Sequence, residues 1–298
     1  MFKTPILLLV YNRSQYLKKL LNILQKIKAQ NIYVSFDGPK KDNKDIFKCK
    51  KVIEKIDKIN WKCNLKKNYL NKNYGCKVGV SKGLEWFFSK VNYGIIIEDD
   101  CIPSIDFFTF CEWSLKKYKN DKRVGGITGN NFLKNKINFK ESFYFSKYAH
   151  CWGWATWKRT WKNYDKNIKF WNGFKSSTNW KYLFQNDNER KYWEKIFNNV
   201  SNNTLDSWAY PWMLCIWKNK QLIVTPKTNL VSNIGFNEDA THTISTFHNF
   251  YYKASRLKKP YILSQNIEVD KKADDYVFQN HYRGENYLWP KRIFYLIK

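Results

Sequence analysis

Apolar runs alternate with amphipathic segments along the first hundred residues of the chain. Short apolar runs predict strands at "PILLLVY", "NIYVSF" and "YGIII", with a weaker strand at "WKCNLKK". Between these runs, apolar residues recur every three or four positions, which is the period of a helix, and Ser14 is placed to cap the first one. Strands that alternate with helices predict an α/β fold with a parallel sheet and right-handed crossovers.

Polar side chains follow three of the predicted strands, where open α/β sheets bind ligands. Arg13 follows the first strand, Asp37 the second and Glu98-Asp99-Asp100 the fourth. Three adjacent carboxylates at a buried strand end repel one another and are costly without a cation. Oxygen ligands suit Mg²⁺ or Mn²⁺, so the triplet predicts a divalent metal site. The alternative is an acidic cluster at a helix start, because "PSIDFFTFCEW" follows.

Asp37 and Arg13 each have a structural interpretation as well as a functional one. An Asp-Gly turn at Asp37 needs no function, although its place at a strand end favours ligand contact. Arg13 suits phosphate geometry, but it could also be a solvated residue at a helix start. Strand alternation predicts that Glu98 and Asp100 share one face of the sheet while Asp99 lies on the other.

Charge, cysteine content and hydropathy narrow the class of protein. The 53 Lys and Arg residues against 25 Asp and Glu residues give a net charge of +28. That charge indicates an anionic partner or, equally simply, the coding bias of an AT-rich genome. Seven scattered cysteines without a CxxC pair argue against a disulfide framework and a structural zinc site. No apolar run has the length of a membrane span, so we expect a cytoplasmic protein.

Seven segments in a fixed order carry a family resemblance. They are "VYNRS", "VSFDGP", "NYGCKVGVSKGLEWFF", "IIIEDDCIPSIDFF", "HCWGWATWKRTW", "LDSWAYPW" and "NLVSNIGFNEDATHT". Together they resemble bacterial GT-A glycosyltransferases of the nucleotide-diphospho-sugar transferase superfamily. The pattern is more distantly similar to the animal N-acetylglucosaminyltransferase that starts hybrid and complex N-glycans. The resemblance covers residues 3–245 and implies a GT-A type, Rossmann-like mixed sheet flanked by helices.

The resemblance implies a role for each acid of the triplet, which matches the family's Asp-x-Asp-type motif. Asp100 would ligate Mn²⁺ or Mg²⁺, Asp99 would bind the ribose and Glu98 would face the donor sugar. His242 in "ATHT" is the best match to a histidine that the family often carries near the metal or the diphosphate.

The same resemblance implies further contacts to a nucleotide-diphosphate donor. Asp37 would contact the base and Arg13 the phosphates, and Lys77, ahead of "VSKGLEWFF", could also reach the diphosphate. The expected donor is a UDP-sugar. No nucleic acid is expected as a partner.

Candidates for the acceptor side lie in the second half of the chain. Asp206 in "LDSWAYPW" is the candidate catalytic base, although some relatives have a further acid where Ala209 stands. The alternative is a helix N-cap, because Asp favours that position and "SWAYPWMLCIW" reads as helical. Trp152 and Trp154 could stack against acceptor sugars, or pack in the core.

The expected organisation is one GT-A domain over residues 1–245. Its nucleotide-binding half is predicted at about 1–104 and its acceptor and catalytic half at about 105–245. Residues 246–298 form a basic, aromatic extension that could lie on a membrane surface or pack as a helix on the core.

The expected function is inverting, metal-dependent sugar transfer from a nucleotide-diphosphate sugar to a glycan. A lipid-linked glycan acceptor in bacterial surface polysaccharide or lipooligosaccharide synthesis would explain a basic protein peripheral to the inner face of the inner membrane. Two alternatives remain: a metal-dependent phosphoryl-transfer enzyme acting on nucleic acid, and a non-catalytic protein that binds anionic membranes. A sugar nucleotidyltransferase is related in chemistry, but "LVYNRSQ" lacks the glycine-rich phosphate loop that such an enzyme needs.

Overall fold

Eight strands form one mixed sheet in the computed structural model of the protein, which describes residues 1–184, 186–235 and 253–284. The N-terminal half contributes β1 (Ile6–Val10), β2 (Asn31–Phe36), β3 (Asn64–Tyr69) and β4 (Tyr93–Glu98). These four strands lie in the order β3-β2-β1-β4 and are all parallel. The prediction of an α/β fold with a mainly parallel N-terminal sheet is therefore confirmed.

Three helices make the crossovers between these strands. They are α1 (Ser14–Lys26), α2 (Asn43–Asp57) and α3 (Gly75–Lys90). The apolar stripe of α1 is buried at Leu17, Leu20 and Leu24, as the helical period predicts. The predicted cap at Ser14 is wrong: Arg13 occupies the N-cap position, without a capping hydrogen bond from its side chain. The Arg13 side chain contacts Asp99 and Asp100 instead.

The second half extends the sheet and makes it mixed. Its strands are β5 (Cys101–Pro103), β6 (Val124–Thr128), β7 (Phe143–Ser146), β8 (Trp154–Trp157), β9 (Leu222–Pro226) and β10 (Val231–Asn233). The sheet continues from β4 in the order β8-β6-β9-β7, and β8 runs antiparallel to both of its neighbours. Strands β5 and β10 pair antiparallel in a separate two-stranded sheet directly after β4.

Helices cover both faces of the sheet and bury two apolar cores. The remaining helices are α4 (Ile105–Lys117), α5 (Lys158–Trp161), α6 (Trp171–Lys175), α7 (Thr178–Lys181), α8 (Asp187–Ser201), α9 (Ala209–Lys218) and α10 (Lys271–Asn280). One core lies under α1, α2 and α4, and the other lies under α3 and the helices from α5 onward. The second core fully buries Trp171, Trp180, Trp193 and Trp212, so much of the high tryptophan content serves packing.

The cysteine side chains are free thiols in the structure. All seven cysteines are free, and Cys49, Cys101, Cys111 and Cys215 are buried, so the expectation of no disulfide framework is confirmed. Within the described ranges, none of the helices combines the length and hydropathy that crossing a membrane requires.

The described part of the predicted extension packs against the rest of the chain. The backbone N–H of Ala254 donates to Ser232 Oγ at 2.7 Å, and Val269 forms a bridge to Phe145 of β7. Helix α10 then buries Ala273, Val277 and Phe278 in the second core. The terminal segment "WPKRIFYLIK", for which membrane contact was considered, lies outside the described residues.

Asp274 fastens α10 to the end of β7. Its carboxylate accepts hydrogen bonds from Ser146 Oγ at 2.5 Å and from the backbone N–H of Lys147 at 2.9 Å. Burial raises the pKa of Asp274 to about 7, although the charge of Lys147 and these hydrogen bonds act in the opposite direction. The ordinary pKa of an Asp carboxyl is 3.8. Because the pKa of Asp274 is higher in the folded protein, folding favours its protonated form.

We expect this buried acid to make the free energy of unfolding fall as pH rises. A group with a raised folded-state pKa contributes its full stability below the unfolded-state pKa and loses it through the folded-state pKa. The fall should occur between about pH 4 and pH 7 and amount to a few kcal/mol, on the order that such a shift implies. Urea unfolding at several pH values checks this, with Asp274→Asn expected to flatten the slope. Asp275→Asn, an exposed change on the same helix, should leave the slope as in wild type.

Candidate functional site

Two acids after β4 converge on one arginine after β1. Arg13 Nη1 lies 3.0 Å from Asp100 Oδ2 and 3.3 Å from Asp99 Oδ1. Asp99 also accepts a hydrogen bond from the backbone N–H of Tyr11 at 3.0 Å. Strands β1 and β4 are parallel neighbours, so their carboxyl ends bring these loops together.

Glu98 completes the acidic cluster at the end of β4. Burial, followed by the charges of Asp100 and Asp99, raises the pKa of Glu98 to about 8. Burial and the charge of Asp100 raise the pKa of Asp99 to about 6, while Arg13 lowers the pKa of both acids. Full ionisation of the three acids would exceed what one arginine neutralises, so burial and mutual repulsion raise these pKa values; a divalent cation would offset both effects.

Asp45 of α2 holds the loop that carries Arg13. It accepts hydrogen bonds from Tyr11 Oη and Asn12 Nδ2, both at 2.7 Å, and from the backbone N–H of Lys40 at 2.8 Å. Burial raises the pKa of Asp45, but these hydrogen bonds outweigh it and the pKa is lowered overall. Asp45 carries no distinguishing signal in the sequence, because a carboxylate in the first turn of a helix is common.

Asp37 lies at the start of α3 and contacts its backbone. Its carboxylate accepts hydrogen bonds from the N–H groups of Tyr74 at 2.9 Å and Gly75 at 3.0 Å, and from Asn73 Nδ2 at 3.2 Å. A Cβ on Gly79 would lie 2.9 Å from this carboxylate, so glycine allows the close approach. Burial raises the pKa of Asp37 despite the backbone hydrogen bonds. Asp37 thus positions α3, whatever else it binds.

Two cavities meet at the acids. The small cavity, of about 230 Å³, extends from the ends of β1 and β2 and is lined by Ser35, Asp37, Asn73, Gly79, Glu98 and Asp99, among others. The large cavity, of about 430 Å³, extends toward the second half of the chain and is lined by Glu98, Asp100, Asn130, Phe132, Trp152 and Tyr210, among others. Arg13, Cys76, Glu98 and Asp206 border both cavities. Asp99 lines only the small cavity and Asp100 only the large one, although both contact Arg13.

Asp206 stands at the junction of the two cavities, just before α9. Its side chain is exposed, and nothing in the described part of the chain donates a hydrogen bond to it. The first turn of α9 is instead capped by Ser207, whose Oγ accepts from the N–H groups of Ala209 at 3.2 Å and Tyr210 at 3.4 Å. The helix-cap alternative for Asp206 is therefore not what the structure has.

Lys77 lies on α3 and lines neither of the two cavities that meet at the acids. It is buried, and its Nζ lies 3.4 Å from Asn203 Oδ1. It lines a third cavity, of about 390 Å³, together with Lys166, Asn203 and Asp206. Lys77 is thus a neighbour of Asp206 more than of Arg13.

The two tryptophans singled out for the acceptor side differ in position. Trp152 lines the large cavity. Trp154 lies on β8, is 2% exposed, and its ring packs against Trp208 at 5.6 Å and Trp212 at 5.1 Å between centroids. The core-packing interpretation describes Trp154 better than an acceptor contact does.

The described residues supply only some of the ligands that a hard divalent cation needs. Asp100 offers carboxylate oxygens on the large cavity, and the neighbouring acids supply negative charge, as Mg²⁺ and Mn²⁺ prefer. Among the described residues, no group of three or more His, Cys, Asp or Glu side chains is arranged to hold a metal. His242, the other predicted ligand, lies outside the described residues.

The segment that leads toward His242 touches Asp100 directly. The N–H of Ile234 donates to the carbonyl oxygen of Asp100 at 2.9 Å, and Asn233 Nδ2 lies 3.5 Å from its Oδ1. A Cβ on Gly235 would lie 2.2 Å from Asp100 Oδ2, so any side chain at this position would have to displace the Asp100 carboxylate. Strand pairing of β10 with β5 produces this contact.

Two residues of the C-terminal segment also line the large cavity. His281 and Tyr282 directly follow α10, and the His281 ring stacks on Phe132 at 3.8 Å between centroids. Sequence analysis placed these residues in an extension beyond the domain, and no periodic signal in one sequence joins them to residue 132. The only sequence feature that marks them is that two ring-bearing residues, His281 and Tyr282, directly follow an amphipathic helix.

Comparisons with known proteins give remote structural similarity. No protein-family model and no curated protein matches the chain. A mannosyltransferase from Pyrobaculum calidifontis in complex with GDP-Man and Mn²⁺ superposes with a TM-score of 0.40 and 10% identity, over 74% of this chain and 70% of that one. A putative glucose-1-phosphate thymidylyltransferase from Bacillus anthracis gives 0.39 and 11%, over 83% and 99%. A 4-diphosphocytidyl-2C-methyl-D-erythritol synthase from Anaerococcus prevotii gives 0.37 and 12%, over 80% and 95%.

Proposed function

We propose that the protein is a metal-dependent, inverting glycosyltransferase that moves a sugar from a nucleotide-diphosphate donor to a glycan. The observation that carries the proposal is the position of Asp206. An exposed carboxylate stands where a small cavity beside the acidic cluster meets a large aromatic one. Sugar transfer needs a donor and an acceptor in adjoining compartments, with a base at their junction.

The small cavity would hold the nucleoside of the donor, with UDP the expected nucleotide. Asp99 lines it and would bind the ribose. Asp37 also lines it, and a carboxylate can accept more hydrogen bonds than the three described, so a contact to the base stays compatible with its capping role. Arg13 would contact the diphosphate.

Asp100, with His242, would hold the Mn²⁺ or Mg²⁺ ion. When bound, the ion would supply neutralisation of the negative charge on the departing nucleotide diphosphate. The proximity of Gly235 to Asp100 supports the proposal, because His242 follows seven positions later in the chain. Asp206 would take the proton from the acceptor hydroxyl as that oxygen attacks the anomeric carbon.

The acceptor setting follows from charge and chemistry. A net charge of +28 favours anionic surfaces, so we propose a lipid-linked glycan at the inner leaflet, in bacterial surface polysaccharide or lipooligosaccharide synthesis. Nucleotidyl transfer is the nearest alternative on this kind of fold. The loop after β1, "YNR", contains no glycine to cradle a triphosphate and carries an arginine held by two acids, which favours sugar transfer.

Thermal unfolding with UDP, GDP and CDP, each with and without Mn²⁺, tests the proposal. We expect the midpoint to rise by about 5 °C at saturating ligand only with UDP and Mn²⁺ together. Asp100→Ala should abolish that rise, and Glu85→Ala, an exposed acid on α3, should keep it. A midpoint that responds to none of the nucleotides, but to single-stranded RNA or anionic vesicles, would overturn the proposal in favour of an alternative.

A further inference from the structure

The large cavity has two chemically different ends. One end carries the carboxylates of Glu98, Asp100 and Asp206. The other is aromatic and is lined by Phe132, His150, Trp152, Tyr210, His281 and Tyr282. Around Phe132 the rings are close: 3.8 Å to His281, 4.5 Å to His150 and 5.4 Å to Trp152 between centroids. Phe132 is buried among these neighbours, while Trp152, Tyr210 and Tyr282 are partly exposed and offer apolar surface of the kind that packs against the C–H groups of a sugar ring.

Asn130 lies at this aromatic end and has an unused hydrogen-bond donor. The residue is 1% exposed, and its Oδ1 accepts from the backbone N–H of Trp152 at 3.0 Å. Its Nδ2 has no partner among the described residues. A buried donor without a partner is costly, so an atom that accepts from it on binding contributes more than an ordinary surface contact. The carboxamide is fixed in place by the bond at its other atom.

Among the described residues that line it, the aromatic end carries no charged side chain, and a cation near its wall is Lys134, whose charge helps to lower the pKa of His281. Burial lowers the pKa of His150 well below its ordinary value and lowers the pKa of His281 to about 3, so both imidazoles are neutral at neutral pH. Arg13 is the cation among the described residues that line the cavity, and it contacts Asp99 and Asp100 at the acidic end. A ligand carboxylate bound in this cavity would be repelled by the three acids of its other end. Among the described lining residues, the only cation to offset that repulsion is Arg13, which already contacts two of those acids.

We propose that the aromatic end of the large cavity is a subsite for an uncharged sugar ring of the acceptor, anchored by a hydrogen bond from Asn130 Nδ2 to a ring substituent oxygen. The subsite selects neutral sugars against acidic ones. As an acceptor subsite it rests on the proposed function, although binding of the sugar itself does not require the donor. It also gives the segment after α10 a role, because His281 and Tyr282 form one of its walls.

Saturation-transfer NMR with two methyl glycosides tests the subsite without nucleotide or metal. The probes are methyl β-D-glucopyranoside and methyl β-D-glucuronide, which differ by a carboxylate, at millimolar concentration. We expect the wild-type protein to bind the glucoside and to bind the glucuronide at least about tenfold more weakly. Asn130→Ala should weaken glucoside binding about tenfold. Asn266→Ala, at an exposed loop position, is the matched control and should bind as wild type does.

A second variant covers the case in which Asn130→Ala fails to fold after Trp152 N–H loses its acceptor. Trp152→Leu keeps the backbone bond to Asn130 and removes an aromatic face, and should also weaken glucoside binding about tenfold. The inference is overturned by equal binding of the two glycosides, by glucoside binding unchanged in the folded variants, or by no glucoside binding to wild type. Thermal shift with UDP and Mn²⁺ on the same samples separates the two proposals: a normal shift with failed glycoside binding removes the subsite alone.

Discussion

Replacement of Asp206 by Asn should slow sugar transfer about a thousandfold while leaving the fold and donor binding intact. A general base contributes a factor of this order, and the amide cannot take the proton of the acceptor hydroxyl. The carboxylate is exposed and receives no hydrogen bond from the described chain, so the change disturbs no described contact. The measurement is release of UDP from a panel of UDP-sugars with neutral methyl glycosides as acceptors.

Ser207→Ala is the matched control for the Asp206 variant. The Ser207 hydroxyl caps α9 through the N–H groups of Ala209 and Tyr210, so its loss should cost about 1 kcal/mol of unfolding free energy. Asp206→Asn should leave the unfolding midpoint unchanged. A different result would contradict the assignment: if Asp206→Asn lowers stability but transfers sugar at the wild-type rate, Asp206 has a structural role and another residue is the base.

The N-terminal half of the fold could be predicted because local pattern and tertiary structure agree there. Strands β1, β2 and β4 are short continuous apolar runs, and helices α1 and α2 each bury one apolar stripe, so the sequence pattern reports burial directly there. The acids after β4 could be singled out for the same reason, since a buried strand that ends in charge is unusual. The acids lie beside Arg13 because β1 and β4 are parallel neighbours in the sheet.

Contacts between distant segments could not be predicted from the pattern. Nothing local in "WGWATW" says that β8 inserts antiparallel between β4 and β6, because a buried aromatic run fits either direction. Ser207, next to the more obvious cap candidate, is the residue that caps α9. Residues 281 and 282 reach the site because α10 packs on the second core and Asp274 binds the end of β7, contacts that span more than a hundred residues.

Removing Arg13 should destabilise the protein more than any other single surface or loop change proposed here. The guanidinium contacts two carboxylates whose side chains are only 6% and 12% exposed, and Arg13→Gln leaves both without it. Breaking a buried ion pair from one side costs about 3–5 kcal/mol, because the remaining charge stays desolvated. Urea unfolding measures the loss. Arg123→Gln is the matched control: Arg123 forms two bonds as well, both to Asp121, but its side chain is 65% exposed, so its loss should change stability far less than the loss of Arg13.

Mn²⁺ distinguishes an ion-pair role for Arg13 from simple packing. If the acids are left with excess charge, a divalent cation should restore part of the lost stability, so the Mn²⁺-dependent rise in midpoint should be larger in Arg13→Gln than in wild type. Arg123→Gln should respond to Mn²⁺ as wild type does. Asp100 carries part of the negative charge that removal of Arg13 would leave unpaired. Adding Asp100→Asn to Arg13→Gln should therefore recover stability in the absence of metal and remove the extra Mn²⁺ response. Equal Mn²⁺ responses in all of these proteins would mean that the acids at the end of β4 are not a cation site.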